Sequence, residues 1–111
     1  MDITFASEKF EKQCNNHSQL VRKQGDRRAK KIRQRLDDLR AATTLEDMRS
    51  LPGRCHELAG DRAGQLSLDL DHPHRLIFEP AHNPLPRKPD GGLDWTQITA
   101  IEIIDVEDTH E

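Results

Sequence analysis

Gln65-Leu66-Ser67-Leu68-Asp69-Leu70, followed beyond Asp71-His72-Pro73-His74 by Arg75-Leu76-Ile77-Phe78, is the stretch that decides the fold. Its apolar residues recur at every second position, the period of a strand with one buried face, so Leu66, Leu68 and Leu70 share a core side. The residues between the two runs suit a turn, and the pair reads as a β-hairpin. Downstream, a segment rich in proline and glycine runs through residues 80–94 and reads as an exposed loop. Residues 98–106 then form a hydrophobic run long enough for a central strand.

Upstream of the hairpin the period changes. Asp2-Ile3-Thr4-Phe5 alternates as a short strand, and Ser7 is placed to cap a helix over residues 8–13. Past Asn15-Asn16-His17-Ser18, apolar residues recur as Leu20, Val21, Ala29, Ile32, Leu36 and Leu39. Ile32, Leu36 and Leu39 have the i, i+4, i+7 spacing of one helix face, which predicts a long amphipathic helix with Gly25 as its weak point. Thr43-Thr44-Leu45-Glu46 has the form of a capping box for a short third helix, Glu46 reaching back to the cap amide, and Pro52-Gly53 ends it. Helices first and strands afterwards predict an α+β fold. It is a single domain over residues 1–111, an N-terminal helical hairpin packed on a twisted antiparallel sheet of residues 3–5, 65–70, 75–78 and 98–106.

Hydrophobic and charged residues each make up 33% of the chain and the mean hydropathy is −0.87, so the apolar residues must concentrate on a few faces. No run approaches the roughly 20 apolar residues that span a bilayer, and the start of the chain does not resemble a leader, so a cytoplasmic protein is expected. Cys14 and Cys55 are expected as free thiols in that reducing compartment.

The net charge of −3 hides a segregation. Residues 20–40 carry nine bases against three acids, a net of +6, whereas Glu102, Asp105, Glu107, Asp108 and Glu111 close the chain without a base. One end of the molecule should attract polyanions and the other repel them. The basic segment suits a helix that faces RNA or an acidic partner through Arg27, Arg28, Lys30, Lys31 and Arg33. The same charges are consistent with a solvated helix face laced with surface ion pairs.

The run Leu58-Ala59-Gly60-Asp61-Arg62-Ala63-Gly64-Gln65, then an alternating strand, a turn and Arg75-Leu76-Ile77-Phe78, resembles the RelE/ParE toxin superfamily, and within it the HigB-type killer toxins. That family reads L-x-G-D-R-x-G, then strand, turn and W-R-I-x-F, and commonly closes on D-Y-H; this chain closes on Asp108-Thr109-His110 with one residue beyond. The resemblance implies a microbial-ribonuclease-like sheet and metal-free cleavage of messenger RNA in the ribosome, with no cofactor. It also implies silencing by a helix-turn-helix antitoxin, through which the pair reaches operator DNA. No membrane is involved.

A ribonuclease without metal needs a base for the 2′-hydroxyl proton, a cation for the charged phosphorane and an acid for the leaving 5′-oxygen. By the resemblance, Arg62 and Arg75 grip the scissile phosphate and His110 moves the proton with Asp108 orienting it; His56 is a second candidate. Arg62 can equally close the hairpin on Asp61 or Asp69. His72, His74 and His82 lack the partners and spacing of a metal site.

Three positions depart from the family: Ala59 replaces a lysine, Asp71 replaces a basic turn residue and Thr109 replaces the tyrosine, in a chain with no tyrosine. Loss of base stacking, worth roughly 1–3 kcal/mol, weakens the site unless Trp95 or a loop residue substitutes. The second reading is therefore a weak or inactive toxin fold that acts by binding, to an antitoxin or, like ParE, to a topoisomerase.

Overall fold

The computed structural model describes residues 1–108; Thr109, His110 and Glu111 lie outside the described residues. The elements in chain order are β1 (Asp2–Phe5), α1 (Glu8–Cys14), α2 (His17–Gln24), α3 (Asp26–Ala41), β2 (His56–Glu57), β3 (Leu66–Asp69), β4 (His74–Pro80) and β5 (Ala100–Asp108). Short 3₁₀ turns occupy Leu45–Ser50, Gly60–Arg62 and Trp95–Gln97. The fold is α+β, with one five-stranded sheet in the order β1-β5-β4-β3-β2.

Local chemistry sets the helix ends. The Ser7 hydroxyl accepts from the Phe10 amide at 3.1 Å and starts α1, as expected. The single long helix expected through Gly25 is instead two. Gly25 adopts φ +83°, where it both ends α2 and begins α3, because a left-handed residue breaks the i→i−4 ladder. The expected capping box is shifted by one residue: the Asp47 carboxylate accepts from the Thr43 and Thr44 amides at 2.8 and 3.4 Å. Glu46 turns outward instead and pairs with Arg49 at 2.8 Å.

The helices cover one face of the sheet. Ile32, Leu36 and Leu39 of α3, Leu20 of α2 and Phe10 of α1 bury against Leu66, Leu68, Leu76, Phe78, Ile101 and Ile103. At about 25 cal/mol per Å² of apolar surface, this layer is the main source of stability. The sheet is mixed rather than wholly antiparallel. β1 runs parallel to β5, pairing Ile3 with Ile101 and Phe5 with Ile103, while the other pairings are antiparallel. A four-residue alternation specifies which side chains are buried but not the direction of the neighbouring strand. The expected hairpin is present, with Leu66 opposite Phe78 and Leu68 opposite Leu76.

Two features position the functional residues. The two-residue edge strand β2, absent from the sequence reading, pairs His56 with Ser67. A bulge between β4 and β5 places Ile77 opposite Asp105 but Phe78 opposite Ile103, leaving Ile104 as the extra residue. Beyond that slip Val106 returns to the core side, and Asp105 and Glu107 turn to the face away from the helices, beside Ile77 and Arg75.

Candidate active site

The helix-free face of β3, β4 and β5 presents successive cross-strand rows. Ser67, Ile77 and Asp105 form one row, and Asp69, Arg75 and Glu107 form the next. Residues directly opposite on neighbouring strands project from the same face, so Arg75 stands between two carboxylates. Its Nε lies 3.3 Å from Asp69 Oδ1.

Arg62 reaches this face from the Gly60–Arg62 turn. Its Nη1 donates to Gln65 Oε1 at 3.1 Å and to Glu107 Oε2 at 3.2 Å, and its Nη2 donates to Glu107 Oε1. Gln65 precedes β3 and Glu107 belongs to β5, so the guanidinium links the two strands that flank β4, on which Ile77 pairs with Ser67. Both of those residues are fully buried, and the Ser67 hydroxyl has no hydrogen-bond partner among the described residues. The hydrogen bonds to Glu107 raise the Arg62 pKa above the ordinary arginine value, with burial acting in the opposite sense.

Glu107 thus stands between Arg62 and Arg75: Arg62 hydrogen-bonds it, and Arg75 lies opposite it in register with its own Nε toward Asp69. Sequence reasoning missed Glu107. Its signal is the doubled Ile103-Ile104, where the apolar alternation of Ile101 and Ile103 slips by one position toward Val106 and marks a bulge. A guanidinium fork that holds a carboxylate with two nitrogens has the geometry to hold a phosphate the same way. As found, each arginine is matched by an acid, so an incoming anion must displace or share Glu107 and Asp69.

The other expected residues are dispersed. His56 shares the arginine face through its pairing with Ser67, two strands from Arg75, and its Nδ1 lies 2.9 Å from the Arg54 carbonyl. Asp108 stands opposite His74 and shares the parity of Val106, so it borders the helix side of the sheet rather than the arginine side. His110 lies outside the described residues.

The five basic residues of α3 divide. Arg27, Lys30 and Arg33 are exposed and Lys31 is half-buried, whereas Arg28 is committed to the hairpin turn. Arg28 Nε donates to Asp71 Oδ1 at 2.9 Å, and its Nη2 contacts Asp71 Oδ2 at 3.3 Å and His74 Nδ1 at 3.0 Å. Asp71 is therefore the anchor for α3. Arg35 is buried and donates from Nε to the Asp69 carbonyl at 2.8 Å, so it fixes the end of β3 instead of facing solvent.

Trp95 does not replace the missing tyrosine. It is 4% exposed, donates from Nε1 to Glu57 at 3.1 Å and lies under the Arg49 guanidinium, 3.8 Å from the ring centre. A ring so enclosed cannot stack on a base. Among the described residues no group of three or more His, Cys, Asp and Glu stands close enough to hold a metal ion. No helix among them is long and apolar enough to cross a membrane. Cys14 and Cys55 are free thiols.

No protein-family model matches the sequence, and no curated protein matches it. Solved structures do. A YoeB/ParE toxin from Agrobacterium tumefaciens superposes with a TM-score of 0.58 at 14% identity, over 99% of this chain and 100% of that one. A YoeB-YefM complex from Staphylococcus aureus gives 0.55 at 18% identity, and a YoeB dimer from the same organism 0.55 at 20%; each covers 100% of this chain and 98% of the other. The likeness spans the whole chain, and it is a likeness of fold.

Proposed function

We propose, from the fold shared with the YoeB/ParE toxins, that this chain is the toxin of a toxin–antitoxin pair and a metal-independent endoribonuclease acting on ribosome-bound messenger RNA. The observation that supports the reading is that Arg62 holds Glu107 through two nitrogens while Glu107 stands opposite Arg75 in the β4–β5 register. On that reading the two guanidinium groups neutralise the phosphorane that forms when the 2′-hydroxyl attacks its own phosphate. In this reading His110 transfers the proton, Asp108 orients it and His56 is the alternative proton carrier. Arg27, Lys30, Lys31 and Arg33 hold ribosomal RNA, while Arg28 supports them by anchoring α3.

The G-D-R and R-L-I-F motifs favour a HigB-type member within the superfamily. A helix-turn-helix antitoxin from an adjacent reading frame is the proposed partner, and operator DNA is reached through it. The YefM partner of the Staphylococcus aureus complex supports an antitoxin of some kind.

A second reading draws on the same site. Both arginines are paired with carboxylates, and the enclosed Trp95 offers no ring for a base, which favours a fold retained for binding rather than cleavage. Primer extension on ribosome-bound message separates the two. New 5′ ends that appear with wild type and vanish with Arg75→Ala support the ribonuclease. Toxicity that survives both Arg75→Ala and His110→Ala, with no new ends, supports binding alone.

A further inference from the structure

At the β3–β4 turn a cavity of about 90 Å³ is lined by Arg54, Asp69, His72, His74 and Arg75, together with Leu70 and Pro73. It has room for a few waters or one phosphate group and is too small for a nucleobase. Asp69 hydrogen-bonds Arg54 and forms a looser ion pair with Arg75. Its Oδ2 accepts from Arg54 Nε at 3.0 Å, and its Oδ1 lies 3.3 Å from Arg75 Nε. Each contact uses the inner Nε, and among the described residues the outer Nη nitrogens of both arginines make no hydrogen bond. An arginine pinned at Nε keeps a preoriented pair of outer donors, the arrangement that suits an oxyanion.

The surroundings hold this arrangement firmly. The Asp69 carbonyl accepts from Arg35 Nε at 2.8 Å, and the Asp69 amide donates to the Gly53 carbonyl at 2.7 Å. Arg54 adopts φ +51°, a left-handed conformation that costs energy in a residue with a Cβ and that concentrates at functional sites. Arg28 Nη2 lies 3.0 Å from His74 Nδ1. Arg54 and Arg75 face one lining carboxylate, Asp69, and Glu107 stands opposite Arg75 beyond it.

We propose that this cavity is a phosphate-binding subsite in which Arg54 and Arg75 supply the charged donors and His74 lines the wall. Arg75 also faces Glu107 on the arginine face. A strand whose scissile phosphate lay between Arg62 and Arg75 would therefore lay a neighbouring phosphate here. That last step rests on the ribonuclease reading; phosphate binding by the cavity does not.

The test is a titration of the full ¹⁵N-labelled chain with inorganic phosphate, followed by NMR. Saturable shifts are expected at Arg54, His74 and Arg75, and Arg54→Ala should weaken binding at least about tenfold, the loss expected for one charge-assisted hydrogen-bonding group. Arg54→Gly removes the same charge while relieving the left-handed backbone, so its loss of binding cannot be ascribed to misfolding. An unphosphorylated diribonucleotide that produces the same shifts identifies an internal phosphodiester as the ligand; a response to inorganic phosphate alone identifies a free or terminal phosphate. Either result supports the subsite. Shifts confined to α3, or an affinity unchanged in Arg54→Gly, would overturn it. A wild type that binds phosphate here yet leaves ribosome-bound message intact refutes the ribonuclease reading alone. A cleaving wild type whose Arg54→Gly variant keeps full phosphate affinity refutes the subsite alone.

Discussion

Arg62 and Glu107 meet fork to fork across β4, the guanidinium engaging both carboxylate oxygens. Their side chains are 40% and 28% exposed, so solvent screens the pair and its contribution to stability is small, about 0–1 kcal/mol. Its importance is positional: Glu107 occupies the face on which a phosphate would meet Arg62 and Arg75.

Replacing Glu107 by Gln removes the competing charge and leaves the shape nearly unchanged. RNA binding measured by fluorescence anisotropy should tighten. The slope of log affinity against log salt should steepen by about 0.7, the change expected for one additional phosphate contact on a single strand. Weaker binding in the variant would mean that Glu107 supports the RNA site rather than competing with it.

Removing a donor that stabilises a charged transition state typically costs about 10²–10³ in rate. On the proposed ribonuclease reading, Arg62→Ala and Arg75→Ala should each lower cleavage of ribosome-bound message by that order, with little change in melting temperature. On the proposed toxin reading, Thr109→Tyr should slow growth more than wild type at matched expression, because it supplies a ring on which a base can stack. Equal growth curves for wild type and Thr109→Tyr would argue against the assigned role of that ring.

Asp71 predicts behaviour in acid. Burial by itself would push its carboxyl up, but the hydrogen bonds and charge of Arg28, aided by His74, hold the pKa below its ordinary value of 3.8. A depressed carboxyl contributes stability that is present above 3.8 and lost as the pH falls through the lower folded value. Asp71→Asn should cost about 1–3 kcal/mol at neutral pH and flatten the acid limb, as read by urea unfolding at pH 7 and pH 3. An unchanged acid limb would show that the Arg28 contact does not govern it.

Burial also pushes the Cys14 and Cys55 thiols up to about 12 from 9.0, the nearby Arg40 and Arg49 offsetting only part of that effect. Raised thiols favour the protonated form in the folded state, so their contribution is present below about 9 and is lost as the pH rises toward 12. Stability should decline over that alkaline window. At pH 8 a disulfide reagent should label the native chain far more slowly than the urea-unfolded chain. Equal labelling rates would mean that the thiols are open to solvent.

Much of this molecule is legible from neighbours in sequence. The two-residue period of Leu66, Leu68 and Leu70, the spacing of Ile32, Leu36 and Leu39, and the Ser7 cap depend on residues a few positions apart, and each is found as expected. Arg62 and Arg75 were marked by their motifs. Their partners were not, because a charged side chain is claimed by whichever opposite charge the folded chain brings near. Arg62 finds Glu107 45 positions away, and Arg28 finds Asp71 43 positions away.

The tertiary structure alone decided the direction of β1, the edge strand β2 and the burial of Arg35 and Trp95. It also turned a phase slip at Ile103-Ile104 into a bulge that aims Glu107 at the arginines. The physical reason is the range over which each is determined. Period and capping are set by local backbone geometry, whereas strand order, register slips and ion pairing are selected by packing the whole chain around one core.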